Sequence, residues 1–335
     1  MTNNPILKTL TATLTKTQPR TITNGTLNEA TTLIERLQAN VRQAAVVDPE
    51  NLKLILTALL GRGHLLLEDV PGIGKTLVAK ALAGSVSAGF KRIQCTPDLL
   101  PSDITGTSIY NQQEQRFVFI PGPLFAQFVL VDEINRATPR TQSSLLESMA
   151  ERQVTVDGQQ HQLPEPFFLI ATQNPVEMAG TFPLPEAQLD RFLISLDLGY
   201  PDFEDEVLIL EREEHSDPLS QIQPVLSPED VMALQQLVRT VGVVRSLKEY
   251  IIRLVTATRN HPEVLLGVSP RGGVALQRAA QAMAILHQRD FVTPDDIKAV
   301  AKGVLGHRLI THDRALEVRR EVIEGVLKSV PVPVR

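Results

Sequence analysis

An apolar run, a Pro/Gly turn and an alanine-rich stretch follow one another in HLLLEDVPGIGKTLVAKALA. The first predicts a buried strand and the last a helix. In a phosphate-binding loop between a strand and a helix, glycines let backbone N–H groups surround a phosphate, a lysine reaches its oxygens and a hydroxyl binds Mg²⁺. Gly72, Gly74, Lys75 and Thr76 match G-x-x-x-x-G-K-[ST] except at its first glycine, which is Asp69 here. The alternative is a strand-to-helix turn that binds nothing.

Short apolar segments alternate with helical segments up to about Leu198. The segments HLLLE, FKRIQC, QFVLVD and FFLIAT are rich in branched residues, as expected of strands buried on both faces of a parallel sheet. The helices TLVAKALAGSV and PRTQSSLLESMAE lie between them, and NEATTLIERLQANVRQAAV and PENLKLILTALLGRG predict two helices before the first strand. This order predicts a three-layer α/β fold with a parallel sheet.

After LGYPDFEDEV the strand pattern stops and helices follow one another to the end of the chain. Two of them begin with SPED and TPDD, in which a hydroxyl residue at the N-cap precedes proline and an acid. A third begins with SPRG and carries arginine in place of the acid. We therefore predict a flexible arm over residues 1–25, an α/β domain over 26–200 and an all-helical domain over 201–335.

The composition is that of an ordinary soluble globular protein, with 43% hydrophobic and 21% charged residues. No apolar run approaches the roughly 18 residues that span a bilayer, and the N-terminus lacks the pattern of a signal peptide. A single cysteine, Cys95, fits a reducing cytoplasm and excludes an internal disulfide or a thiolate metal cluster. A net charge of −5 argues against a broad nucleic-acid surface.

Two adjacent carboxylates, Asp132 and Glu133, end the apolar strand of QFVLVDEINRA. Their burial would be costly unless they met a cation or water, although a solvated strand end would also explain them. Together with the phosphate loop they suggest that Asp132 orients Mg²⁺ and that Glu133 polarises the attacking water. Asn174, which ends the strand of FFLIATQNP, would lie at the same sheet edge and could hold that water, but asparagine before proline is also a common turn.

The motifs EDVPGIGKT, FVLVDEINRATPRTQSSLLESMAE, LIATQNP, FPLPEAQLDRF and SPRGG occur in an order that resembles the MoxR family of AAA+ ATPases. The resemblance covers about residues 30–325, and the family belongs to the branch that also holds magnesium-chelatase motor subunits and the MCM helicases. It implies a P-loop AAA+ core followed by a helical lid, ATP and Mg²⁺ as cofactors, and a hexameric ring with nucleotide at the subunit interfaces.

Matched motif by motif, the resemblance makes Lys75 and Thr76 part of Walker A, Asp132 and Glu133 Walker B, and Asn174 sensor 1. It implies that Thr76 and Asp132 serve Mg²⁺. The family usually has a VGQ-like stretch along the adenine pocket where this chain has VVDPEN. The residues expected to contact the nucleotide are Pro71, Gly72, Ile73, Gly74, Lys75, Thr76, Leu77 and Asp132, with Val46 and Val47 as apolar walls that core packing explains equally well.

Arginines can stabilise the charge that develops on a transferring phosphoryl group, and an arginine finger can contribute ~10³–10⁵ in rate. By resemblance, Arg191 in LDRF is the finger that reaches a neighbouring subunit, and Arg271 in SPRGG is sensor 2 on the lid. An ion pair between Arg191 and Asp190 is the alternative. Arg271 opposes the dipole at its helix start, so an anionic partner would explain it. Arg136 and Arg140 can also serve as interface cations.

Two insertions predict hairpins. ERQVTVDGQQHQL alternates apolar and polar residues around Asp157-Gly158, and ITGTSIYNQQEQRFVFIPGPLF holds two β-rich segments around Ile109 and Phe117–Ile120. In the family these resemble the pre-sensor-1 hairpin and the helix-2 insert, which face the ring centre. Plain surface hairpins are the alternative.

Three functions fit this sequence. The resemblance suggests chaperone-like maturation of a client protein that carries a von Willebrand A domain or awaits a metal cofactor. A nucleic-acid motor is disfavoured because the Asp-Gly hairpin has almost no Lys or Arg to track phosphates. A nucleotide-gated scaffold is disfavoured because a site that only binds ATP does not need Glu133, Asn174 and Arg191.

Overall fold

The computed structural model describes residues 26–68, 74–174, 180–215, 217–313 and 315–333. The arm predicted over residues 1–25 and the predicted loop residues Pro71, Gly72 and Ile73 lie outside the described residues.

The α/β part contains helices α1–α6 and strands β1–β9, with a 3₁₀ turn at Ile134–Arg136 between β5 and α5. In chain order these elements are α1 (Thr26–Ala44), α2 (Pro49–Leu60), β1 (Leu65–Glu68), α3 (Lys75–Ser85), β2 (Phe90–Gln94), α4 (Pro101–Thr105), β3 (Gly106–Asn111), β4 (Arg116–Pro121), β5 (Phe128–Asp132), α5 (Pro139–Glu151), β6 (Gln153–Val156), β7 (Gln159–Gln162), β8 (Phe168–Gln173), α6 (Glu186–Leu189) and β9 (Ile194–Leu196).

The remainder is predominantly helical. It consists of α7 (Phe203–His215), α8 (Pro228–Thr240), α9 (Arg245–Arg259), β10 (Val264–Leu266), α10 (Pro270–Leu286), α11 (Pro294–Leu305), β11 (Ile310–Thr311) and α12 (Leu316–Ser329), with 3₁₀ turns at Pro218–Gln221 and Gly306–Arg308.

A five-stranded parallel sheet forms the centre of the first part, in the order β2-β5-β8-β1-β9. Successive residues of β5 contribute to different cores, because side chains alternate across a strand. Phe128 and Leu130 pack with α1, α2 and α3, whereas Val129 and Val131 pack with α5. This arrangement confirms the predicted three-layer α/β core with a parallel sheet.

Strand β2 departs from the prediction of strands buried on both faces. Only Ile93 of its five residues is buried. The physical reason is its place at the edge of the sheet, where it pairs only with β5 and two of its side chains, Arg92 and Gln94, reach the carboxyl end of that strand.

The helices of the second part pack around α10, whose small residues Ala279, Ala280 and Ala284 are fully buried and allow close approach. Ser227 caps α8 by accepting from the Asp230 N–H, as the sequence predicts. The predicted helical lid is confirmed. The structure adds an antiparallel pair of short strands, β10 and β11, which the expectation of helices alone did not include.

No helix among the described residues is long and apolar enough to cross a membrane.

Candidate active site

The carboxyl ends of the parallel strands bring the chemically active residues of the core to one edge of the sheet. Strand β5 ends at Asp132, Asn174 follows β8 directly, and helix α3 begins at Lys75 just beyond the end of β1. Gly74 precedes α3 with φ +82°, a conformation that L side chains rarely adopt, and so favours glycine at the N-cap. The start of α3 therefore follows the carboxyl end of β1 along the chain, and backbone N–H groups at the start of a helix can bind an anion.

Asp132 is buried, and both of its carboxylate oxygens have protein partners. Thr172 Oγ1 on β8 donates to Asp132 Oδ1 at 3.3 Å, and Arg92 Nε on β2 donates to Oδ2 at 2.5 Å. The pair with Arg92 is partly exposed, because half of the arginine side chain is open to solvent. These contacts from the two neighbouring strands fix the orientation of the carboxylate.

Glu133 occupies the left-handed region, with φ 55° and ψ 50°. Such a backbone costs about 1–3 kcal/mol for a residue other than glycine and persists only where its surroundings hold it. Here the Glu133 N–H donates to Thr172 Oγ1 at 2.9 Å, and the Glu133 carboxylate accepts from Gln94 Nε2 at 3.0 Å and pairs with Arg136 Nε at 3.1 Å.

Cys95 follows β2 beside these carboxylates, is fully buried, and its N–H donates to the Asp132 carbonyl at 2.9 Å. Burial raises the pKa of the Cys95 thiol to about 12, and the charges of Asp132 and Glu133 add to the effect.

Lys75, Thr76 and Leu77 form the first turn of α3 and are half-buried. Val46 and Val47 are also half-buried and help to line a cavity of about 330 Å³. Charged residues of α1 and α7 lie in the same lining, which makes it more polar than a purely apolar adenine wall. They are Arg42, Asp205 and Arg212.

Arg191 does not form the ion pair with Asp190 that was the alternative to a finger. Its Nη1 donates instead to the Leu146 carbonyl of α5 at 2.7 Å. Asp190 pairs with Arg308 at 2.7 Å and lies 3.8 Å from Arg271 Nη1. Arg271 therefore has an anionic neighbour in its own chain, as its position at a helix start predicts.

Sequence reasoning missed three residues that hold the carboxylates of Asp132 and Glu133: Arg92, Gln94 and Thr172. The available signal was polarity near the ends of strands, since FKRIQ and FLIATQ both carry polar residues there. A further missed group surrounds buried Glu68 at the end of β1, which accepts from Gln173 Nε2 at 2.7 Å and from Ser195 Oγ, with Arg319 of α12 at 3.8 Å. This group ties the edge of the sheet to the lid.

Both predicted hairpins are present. Asp157 and Gly158 have φ 50° and 77°, which gives β6 and β7 a two-residue turn, and β3 pairs with β4 from Gly106 to Pro121. The hairpins touch, because the rings of Phe119 and His161 stack with centroids 3.9 Å apart. The β3–β4 hairpin also exposes large apolar side chains, namely Ile109, Tyr110, Phe117 and Ile120.

Comparisons with known proteins identify the family. The model of the ATPase family associated with various cellular activities (AAA) matches residues 64–194, and that of the AAA lid domain matches residues 256–326. The Chaperone MoxR1 of Mycobacterium tuberculosis is 42% identical over 312 residues, which cover 90% of this chain and 82% of that protein. The chain belongs to the MoxR family of AAA+ ATPases. The uncharacterized protein YeaC of Bacillus subtilis is 51% identical, with 92% of this chain and 95% of that protein covered.

A crystal structure from Cytophaga hutchinsonii matches with a TM-score of 0.85 and 40% identity, covering 92% of this chain and 97% of that one. This MoxR-family chain is accordingly an ATP hydrolase with an α/β AAA+ core and a helical lid.

Proposed function

We propose that this ATPase uses Mg²⁺-ATP to remodel or mature a client protein in the manner of a chaperone. The observation that carries the proposal is the convergence of Asp132, Glu133 and the start of α3 at Lys75 on one edge of the parallel sheet. A site that only binds nucleotide needs Lys75 but has no use for a carboxylate held in a strained turn beside it.

Thr76 and Asp132 offer a hydroxyl and a carboxylate, and oxygen donors of this kind suit Mg²⁺. Magnesium in such sites keeps several waters and takes further oxygens from substrate phosphates, so two protein groups are sufficient. Asp132 would hold the hydrated ion while Arg92 and Thr172 keep its carboxylate oriented. When bound, the ion would neutralise charge on the phosphates.

Glu133 is the residue that would orient and polarise the attacking water. Gln94 Nε2 and Arg136 Nε both contact its Oε2 and would keep the carboxylate in place. Asn174, at the end of the neighbouring strand β8, would hold the same water from the other side. Arg271 on the lid and Arg191 of an adjacent subunit would supply the cations that meet the γ-phosphate.

The trans role of Arg191 requires an oligomer, and a hexameric ring is part of this proposal. We also propose that residues 26–200 bind and hydrolyse ATP and that residues 201–335 move as a lid. The remaining nucleotide contacts would come from residues 71–77, with Val46 and Val47 beside the base. A cytoplasmic location is also proposed.

The client would meet the two hairpins. The β3–β4 hairpin offers exposed Ile109, Tyr110 and Phe117, and the β6–β7 tip offers hydrogen-bonding groups. Such a surface suits a protein better than a polyanion, because Arg116, the one arginine in β3 or β4, is already paired with Glu114 at 2.6 Å. A client with a von Willebrand A domain, and one that awaits a metal cofactor, are the two classes that we propose.

The decisive experiment compares Glu133→Gln with Glu147→Gln, which makes the same chemical change on the exposed face of α5. Glu133→Gln should bind ATP and hydrolyse it at least about a hundredfold more slowly, which is the low end of what a positioned base contributes. Lys75→Ala should lose ATP binding itself. Turnover of Glu133→Gln at the rate of Glu147→Gln would exclude Glu133 as the activating carboxylate.

Glu133→Gln also tests whether the protein binds a client. ATP-loaded Glu133→Gln should retain a client that Phe117→Ala in the same background does not retain, while DNA should neither bind at physiological salt nor stimulate the wild type. DNA-stimulated hydrolysis that Phe117→Ala abolishes would favour a nucleic-acid motor instead.

A further inference from the structure

A second cavity, of about 260 Å³, lies at the opposite end of the core from the candidate active site. It is formed where α2 turns into β1, and it is closed by α8 and α10 of the lid. Since α3 starts beyond the other end of β1, this cavity is separate from the predicted nucleotide site. Its polar lining consists of Arg62, Arg239, Arg278, Gln235, Gln277 and Gln281.

The positive charge of this arginine pocket exceeds the negative charge around it. Three of its lining residues carry a guanidinium group and none carries a carboxylate. Glu165 is the nearby anion, but it is shared between Arg62 Nη2 at 2.7 Å and Arg152 Nη1 at 3.4 Å. Arg239 and Arg278 make no ion pair with any residue that the structure describes. Two of these four arginines therefore share one carboxylate, and the other two have none among the described residues.

The arginines also act on one another electrostatically. Burial lowers the pKa of the Arg278 guanidinium, and the positive charges of Arg239 and Arg62 lower it further. Burial likewise lowers the pKa of Arg152, with a contribution from Arg62. Like charges that face a common cavity repel one another, and an anion between them would remove that repulsion.

Arg62 also carries a donor that no described residue satisfies. Its Nε is buried and has no hydrogen-bond partner among the described residues, which is costly for a charged donor. The residue is also held in the left-handed region, with φ 53°, and its carbonyl accepts from Arg152 Nη2 at 2.9 Å. The Arg62 guanidinium is held at the edge of the cavity by its ion pair with Glu165.

We propose that the arginine pocket binds a small multivalent oxyanion of the phosphate or diphosphate class. Planar guanidinium forks match phosphate oxygens in bidentate geometry, and three of them neutralise more than a single negative charge. The anion connects Arg62 of the core to Arg239 of α8 and Arg278 of α10, so it joins the core to the lid. This role is independent of ATP turnover and goes beyond the proposed function.

The test uses inorganic pyrophosphate, titrated calorimetrically without Mg²⁺ into full-length Lys75→Ala chain so that the phosphate loop contributes least. Arg278→Gln and Arg239→Gln, added separately to this background, should each weaken binding about tenfold, which equals about 1.4 kcal/mol. Arg239 and Arg278 keep a large part of their surface open to solvent, although the guanidinium of Arg278 is partly buried. Neither forms an ion pair with any residue the structure describes, so these variants should fold. The matched control is Arg245→Gln, an equal loss of charge on exposed α9, and it should bind like the parent.

Equal pyrophosphate affinity in the parent and both pocket variants would overturn the proposal, as would no binding by the parent. A change in self-association caused by Arg278→Gln and Arg239→Gln, without an effect on pyrophosphate, would also overturn it, because carboxylates of a second copy would then fill the pocket. The experiment measures pyrophosphate binding and not ATP hydrolysis, so its result does not depend on whether the proposed function is correct.

Discussion

Removal of the Arg308 side chain should be among the most damaging single changes in this molecule. Only 3% of the side chain is exposed, and its Nε pairs with Asp190 Oδ1 at 2.7 Å. The other guanidinium nitrogens donate to carbonyls near the end of the core, including Phe192 at 2.5 Å and Leu193 at 3.3 Å, and to the Val304 carbonyl of α11. One side chain therefore joins the LDRF segment to the lid.

Arg308→Ala leaves the Asp190 carboxylate without its main partner and removes the donor that reaches the Phe192, Leu193 and Val304 carbonyls. Breaking a buried pair from one side costs about 3–5 kcal/mol, and we expect the free energy of unfolding in urea to fall by that amount. Arg308→Lys should recover only part of the loss, because a single ammonium cannot reproduce the planar fork. Arg245→Ala on the surface should change stability by less than about 0.5 kcal/mol. If Arg308→Ala cost no more than that control, the network would not hold the lid to the core.

Three further predictions concern function and reactivity. Arg191→Ala should bind ATP and assemble but hydrolyse ATP poorly, and mixing it with Lys75→Ala subunits should restore some turnover. Loss of ATP binding, with no rescue at any mixing ratio, would place Arg191 in the nucleotide site of its own subunit. Alanine at Asp157 and Gly158 should leave basal turnover nearly intact and remove stimulation by a client, whereas a comparable loss of basal turnover would make the hairpin part of the hydrolytic site. The Cys95 thiol, buried and with a pKa of about 12, should resist alkylation at pH 8 until the chain unfolds, which mass spectrometry of native and urea-treated protein would check.

Local pattern predicted those parts of the fold whose strands are continuous apolar runs. Strands β1, β5 and β8 are buried along nearly their whole length, so each is a continuous apolar run that the sequence alone identifies as a strand. Strand β9 has three residues and β11 has two, so neither shows a period, and each exists because a partner strand lies beside it. The edge position of β2 likewise depends on strand order, which the composition of FKRIQ does not reveal.

Some residues of the candidate site were likewise predictable from the sequence, and others were not. Asp132 and Glu133 stand out because adjacent carboxylates at the end of an apolar run need a reason. Their partners do not stand out, since Arg92 and Thr172 are each 40 positions away from Asp132 and meet it only through the order of the strands. Asp190 pairs with Arg308, 118 positions away in the sequence, and not with the adjacent Arg191 that the sequence alone suggested.

His64, at the start of β1, should make the stability of the core depend on pH. Its Nδ1 accepts from the Leu169 N–H at 3.1 Å and its Nε2 lies 3.3 Å from the Met149 carbonyl, an arrangement that the neutral ring satisfies and the protonated ring does not. Burial lowers the pKa of His64 to about 4, with a smaller effect of Arg152.

Because this pKa is lower in the folded chain than in the unfolded chain, the stabilisation is complete above about pH 6.5 and is lost as the pH falls towards 4. Between pH 7.5 and 5 the loss from this one group is about 2 kcal/mol. In urea unfolding, His64→Gln should therefore be less stable than the wild type at pH 7.5 but should lose about 2 kcal/mol less on going to pH 5. Buried His307, whose pKa burial also lowers, is present in both proteins and cancels in this comparison. The exposed variant His312→Gln should keep the full wild-type fall, and an equal fall in His64→Gln would show that His64 does not titrate on unfolding.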